Sequence, residues 1–224
     1  MVTALSELPP TRTTEPGAPL RLLVLVAGPG HCTGVDLASG ALVRSHWAPG
    51  DDEAPLGRYE VATAVIAEED VPPDPACPEA VAFQAPPEPG RRLRRGLVRR
   101  YLEHLQAPSH LPLLGFPGPA IAYWEVPGTH PSLALIIPTR GPQVVVDEDG
   151  GVRARFEWAN LDHVFPLTDP EATALVLDSD RARLPAEALT SVLGYRVRYV
   201  LMALSGPEGG QCHKTVAALL PAGP

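Results

Sequence analysis

Gly30-His31-Cys32-Thr33-Gly34 directly follows an apolar run and has the outline of a nucleophile elbow, Gly-x-Cys-x-Gly, in which a sharp turn presents a thiol. A cysteine attacks as the thiolate, so it needs a base and a positive surrounding, and His31 or a more distant histidine could serve. The elbow requires a helix after the turn, whereas here the pattern continues as a strand and hairpin. The plainer reading is a glycine-rich β-turn carrying a small, half-buried cysteine, and Cys32 and His31 stand as the catalytic candidates beside it. Cys212-His213 repeats the same adjacency near the end of the chain. If both hairpins met, two thiols and two imidazoles could hold zinc. Adjacent strand residues point to opposite faces, however, and no Cys-x-x-Cys or His-x-x-x-His spacing is present, so neither a metal site nor a cofactor is expected.

The sharpest charge feature is Arg91, Arg92, Arg94, Arg95, Arg99 and Arg100, six guanidiniums within ten residues of a chain whose net charge is −8. Such a cluster can grip phosphates or carboxylates in bidentate pairs. It can equally be a solvated helix face whose arginine stems cover an apolar stripe while the heads stay in water. No ladder of aromatics accompanies it, so base stacking lacks support and an acidic protein partner is favoured over nucleic acid. The acidic groups Asp51-Asp52-Glu53, Glu68-Glu69-Asp70 and Asp147-Glu148-Asp149 lack the helix–loop–helix setting and distal Glu of a calcium loop and read as solvated turns. His46, His104, His110, His130 and His163 are scattered, with no carboxylate at a meaningful spacing.

The elements that would position these groups are mostly strands. The 224 residues are 45% hydrophobic, enough for a real core. No apolar run reaches the 18 or so residues of a membrane-spanning helix, and the first 19 residues lack the basic start and apolar centre of a secretory signal. That Thr/Pro-rich stretch, 1–19, reads as a disordered tail. Three cysteines, an odd and sparse set, argue against a disulfide framework and for a reducing cytoplasm. Arginine outnumbers lysine 17 to one, Lys214 being the single lysine, and 28 prolines are present; this skew resembles high-GC codon bias and carries no functional weight.

Strands are expected at 20–27, 33–37, 41–47, 58–67, 120–126, 133–137, 143–147, 152–158, 161–165, 195–204 and 214–220, separated by Gly, Pro and Asp turns. Within the loop 70–89 only 80–83 is apolar. Leu93, Leu97, Val98, Tyr101, Leu102 and Leu105 recur at helical spacing and predict a basic amphipathic helix over 91–106. Asp169-Pro170 can open a short helix with Asp as cap, and 185–193 reads as another, ended by Gly194.

Segments 22–47 and 133–158 align without a gap at an offset of 111 and share Leu22/Leu133, Gly30/Gly141, Asp36/Asp147, Gly40/Gly151, Arg44/Arg155 and Trp47/Trp158. Alternation places Ala41, Val43 and Trp47 on one face, and likewise Val152, Ala154 and Trp158. Two readings stand: a duplicated unit, or two unrelated meanders that use the same turn residues. Gly34–Val43 resembles one inner hairpin of a quinoprotein-type β-propeller blade. The resemblance covers about a twentieth of the chain and implies no cofactor, and the central helix and the offset do not suit regular blades.

The expected fold is therefore mainly β, a β-rich α+β arrangement of antiparallel sheets forming a barrel or sandwich. It is read as one domain over 20–224, with halves 20–90 and 120–224 joined by the helical segment 91–106. The leading functional expectation is a non-enzymatic interaction module or accessory subunit docking an acidic protein through the Arg segment or a sheet edge. The alternatives are a small-molecule hydrolase or transferase using Cys32, and a nucleic-acid-associated factor using Arg91–Arg100.

Overall fold

The computed structural model describes residues 15–49, 55–68, 74, 76–126 and 131–224. Most of the expected N-terminal tail, the groups Asp51-Asp52-Glu53 and Glu69-Asp70, and His130 lie outside them. The chain is mainly β, with antiparallel sheets and three α-helices among the described residues. It divides into two compact units: residues 1–105 with 127–132 and 223–224, and residues 106–126 with 133–222.

The first unit is a six-stranded sheet of β1 (Pro19–Gly28), β2 (His31–Asp36), β3 (Leu42–His46), β4 (Glu60–Val65), β5 (Ala80–Ala82) and β6 (Glu88–Arg92), in the order β5-β3-β2-β1-β4-β6. All pairs are antiparallel except β3 with β5. The apolar run of β1 sits in the middle, and Leu22 to Leu25 are all buried, as a strand covered on both faces should be. One core gathers Leu20, Leu22, Cys32, Val43, Ile66 and Val81 around Trp47, whose ring stacks on Phe83 with centroids 6.1 Å apart.

Helix α1 occupies Arg95–Glu103 and buries Val98 and Leu102, so the helical pattern is real but shorter than 91–106. Arg91 and Arg92 belong instead to β6, where Glu60 stands opposite Arg92 and Ala62 opposite Pro89. The reason is local: a Cβ at position 90 would lie 2.6 Å from the Val61 carbonyl oxygen, so Gly90 lets this strand close onto β4. The C-terminal end shortens because Gln106 forms a bridge with Leu135 and the Ala107 N–H donates to the Leu135 carbonyl.

The second unit has two sheets. In the first, β11 (Leu161–Pro166), β10 (Val152–Trp158), β9 (Arg140–Val146) and β12 (Arg183–Leu184) lie in that order. In the second the order is β7 (Ala120–Ala122), β14 (Gln211–Leu220), β13 (Tyr199–Leu204) and β8 (Leu133–Ile136). A bridge between Leu167 and Val216 links the sheets. Strand β10 alternates cleanly, burying Val152, Ala154, Phe156 and Trp158 and exposing Arg153 and Arg155. Residues expected to extend β7 to 126 turn instead into a 3-10 turn at Tyr123–Glu125.

The two aligned segments share burial but not pairing. Strand β1 pairs with β2, whereas β8 pairs with β13 and leaves β9 to another sheet. The turns also differ by one residue. The Asp36 N–H reaches the Ala41 carbonyl with Gly40 at φ 74°; the Asp147 N–H reaches the Gly151 carbonyl with Gly150 at φ 83°. The aligned Gly40 and Gly151 therefore do different work.

Helices α2 (Pro170–Asp178) and α3 (Ala186–Leu193) form where Asp-Pro and the terminal Gly194, at φ 74°, predict them. Asp169 is completely buried. Its Oδ1 accepts the Ala172 N–H at 3.1 Å, capping α2, and its Oδ2 accepts the Leu219 N–H of β14 at 3.0 Å. Asp169→Ala strands two buried N–H groups and is expected to lower unfolding free energy in urea by about 2–5 kcal/mol. A loss below about 1 kcal/mol would show that these donors find other acceptors.

Candidate functional site

The six arginines lie on one continuous stretch of the first unit, and all are exposed. Arg91 and Arg92 are on β6, an end strand of its sheet whose five residues are all exposed. Arg94 is the N-cap of α1, and Arg95, Arg99 and Arg100 follow on the helix. Leu97, 45% exposed, sits among them. Arg92 Nε donates to the Arg58 carbonyl at 3.1 Å, and Arg99 pairs with Glu103 at 2.6 Å one turn on. Among the described residues, Arg91, Arg94, Arg95 and Arg100 form no ion pair. No acid occupies the first turn of α1 and no side chain caps it, so Arg94 and Arg95 stand where the helix dipole favours negative charge. Charges placed against the dipole weaken the helix by a few tenths of a kcal/mol to about 1 kcal/mol each.

The elbow-like motif takes a different form. Pro29 and Gly30 make the two-residue turn between β1 and β2, Gly30 at φ 69°. Gly34 is required for another reason, because a Cβ there would lie 2.6 Å from the Leu23 carbonyl oxygen on the neighbouring strand. Both glycines thus serve the sheet. Cys32 has no exposed surface, and its Sγ lies 3.0 Å from Ser45 Oγ on β3. His31 points the other way, exposed, with Nδ1 3.0 Å from the Pro29 carbonyl. A nucleophile must reach its substrate, and this thiol lies in the core cluster with no exposed surface. Cys212 is buried as well, on β14 in the second unit. Among the described residues no three of His, Cys, Asp and Glu gather as a metal site would need.

The third thiol, Cys77, is half-buried beside polar groups that sequence spacing does not connect. Arg44 Nη1 donates to its Sγ at 2.9 Å, and Arg44 Nη2 reaches the Ser132 carbonyl at 3.4 Å. Glu79 accepts the Ser132 N–H at 2.8 Å and the Ser132 hydroxyl at 2.5 Å. Burial pushes the Cys77 thiol up, with Asp74 and Glu79 adding to the effect, and the Arg44 guanidinium does not offset it. Cys77 is therefore protonated at neutral pH, and the group reads as a polar tie between residue 132 and the β3–β5 edge. Iodoacetamide is expected to alkylate Cys77 first because it alone is not fully buried, and only slowly at pH 7 because it is a thiol. Faster labelling of Cys32 would restore the elbow reading.

The feature that sequence spacing missed is Lys214. The single lysine lies on β14 and is 3% exposed. Its Nζ donates to the Phe116 carbonyl at 2.6 Å and sits 4.0 Å from the centre of the Phe116 ring. No carboxylate of the described residues lies within ion-pair distance. Burial lowers its pKa from 10.5 to about 8. On β11, His163 packs between Phe156, Trp158 and Phe165, with centroid separations of 5.5, 6.1 and 5.7 Å. Burial lowers the pKa of His163, and the Lys214 charge lowers it further. The signal in the sequence is parity: Lys214 falls on the same strand face as Cys212 and Val216, both buried.

Because the unfolded lysine keeps its proton up to pH 10.5 and the folded one releases it near 8, the unfolded chain binds more protons between those values. Stability is expected to rise across pH 8–10.5 by up to about 3 kcal/mol on this account, and to fall again as pH drops through 8. The difference in unfolding free energy between the wild type and Lys214→Met isolates this contribution. A difference that does not change with pH across that window would refute it.

No protein-family model matches this chain, and neither a curated protein nor a solved structure matches it.

Proposed function

We propose that this chain is a non-enzymatic docking module, an accessory subunit that binds an acidic protein surface through β6 and α1. The observation that supports this reading is the set of four exposed arginines without an ion pair among the described residues, placed around the exposed Leu97 in a chain of net charge −8. Neighbouring like charges repel one another, and Arg94 and Arg95 also oppose the dipole of α1. A partner's carboxylates remove both penalties. Arginine forks pair with carboxylates in bidentate geometry, and an apolar centre ringed by arginine is the composition enriched at interface cores. The end strand β6 continues the surface, although Pro89 lacks an N–H to offer to an added strand. No described helix is long and apolar enough to cross a membrane, and three free thiols suit a reducing cytoplasm, where we place the module.

The test replaces Arg94, Arg95, Arg99 and Arg100 together by Glu and follows binding to a polyglutamate peptide and to a single-stranded oligonucleotide of equal charge, with circular dichroism as the control for folding. The expected result is wild-type binding to polyglutamate that weakens with salt and falls at least about tenfold in the folded variant, since close charge pairs at interfaces couple by 1.5 kcal/mol or more. Tighter binding of the oligonucleotide would transfer the surface to nucleic acid. Equal binding of wild type and variant would remove the arginines from the interaction.

A further inference from the structure

Two histidines that are distant in the sequence face each other in the first unit. His31 opens β2, and its register partner on β3 is His46. The Trp47 N–H donates to the Gly30 carbonyl at 2.9 Å, so the backbone bond joins the flanking residues and not the histidines themselves. Theirs is therefore the non-hydrogen-bonded kind of pair, in which the Cα atoms approach to about 4.5 Å and both side chains leave the same face of the sheet. Both histidines are exposed. Among the described residues the His46 ring has no hydrogen bond, ion pair or ring contact. His31 Nδ1 lies 3.0 Å from the Pro29 carbonyl, which only accepts, so Nδ1 carries the proton and Nε2 the lone pair. The His31 ring rests over Gly28, where a Cβ would stand 2.5 Å from His31 Cε1.

We propose that His31 and His46 form an open chelate for a divalent transition-metal ion of the zinc and copper class, with water completing the coordination. Imidazole nitrogen suits these ions, whereas Mg2+ and Ca2+ take oxygen. The Cβ atoms of a directly opposed pair stand about 4.5–5.5 Å apart, close enough for two rings to converge on one ion with bonds of about 2.0–2.1 Å. The strands hold both imidazoles at that spacing before the ion arrives, so the second bond forms at a high effective concentration and adds to the first. Reaching the ion requires the His31 ring to turn off Gly28 and release the Pro29 carbonyl, a rotamer change that exposed side chains make readily. Two ligands do not make the closed centre of three or more residues that the described residues lack. They make a site whose remaining positions stay exchangeable. It lies where β2 begins and β3 ends, and it uses none of the arginines of β6 and α1.

The test titrates the untagged full chain with zinc chloride and with copper(II) chloride by calorimetry. His31→Asn, His46→Asn and the double variant are titrated beside it, with circular dichroism to follow folding. The expected result is one tight site in the wild type, with Cu2+ bound more tightly than Zn2+. Each single variant should lose at least about tenfold in affinity and the double variant no more than either, because a chelate is lost whole. In proton–carbon spectra, zinc should shift the Cε1–H signals of His31 and His46 together along one saturation curve. Gly28→Ala supplies a change in the opposite direction. Its Cβ displaces the His31 ring from its resting place and so removes a conformation that competes with the ion. Zinc should then bind about two- to fivefold more tightly. The proposal is overturned if either single variant binds as the wild type does, if the two losses add in the double variant, if the two histidines saturate at different zinc concentrations, or if Gly28→Ala weakens binding.

Discussion

A buried charge has to be met, and in this protein it is met mainly by backbone. Asp169 illustrates the constraint. With no exposed surface, its carboxylate takes N–H groups from α2 and from β14, the latter at Leu219, 50 residues further along the chain. Asp36 is treated the same way, accepting the Ala38 and Ser39 N–H groups at 3.1 and 3.2 Å inside its own turn. Among the described residues, Lys214 has a carbonyl and a ring. Backbone partners fix direction more tightly than long charged side chains do, so each such residue dictates how a turn, cap or strand must lie. The opposite-charge pairs Arg153–Asp147, Arg155–Asp162 and Arg140–Glu157 are on the surface, where such pairs contribute little.

Where local chemistry decides structure, the sequence could be read. Asp169-Pro170 opened a helix and Gly194 closed one, because capping depends on three or four neighbouring residues. Strand β10 ran over the residues its alternation marked, and the terminal hairpin formed where the Gly/Pro turn separates two apolar runs. The helix at 95–103 was visible in its apolar period, but not the strand before it, since Gly90 matters only through its approach to the Val61 carbonyl on another strand.

Pairing across the chain was not legible. Nothing near Leu133 says that β8 joins β13, some 65 residues later, instead of its neighbour β9, and a gapless alignment with 22–47 argued for the neighbour. The candidate chemistry divides along the same line. The arginine surface could be read because exposed charge needs no partner to be recognised. The Arg44–Cys77–Glu79–Ser132 group could not, being assembled from three separate stretches. Cys32 drew attention through glycines that the sheet itself explains. Lys214 drew none, although the parity of β14 pointed inward at its position.

The distribution of basic groups has a practical side. Seventeen of the eighteen basic side chains are guanidiniums, and the one ammonium is enclosed beneath Phe116. Activated esters, and any enzyme that tags ε-amines, therefore meet no exposed lysine on this chain while it is folded. Conjugation through amines leaves the arginine surface chemically untouched, and a tag appearing on Lys214 would record that the second unit had opened.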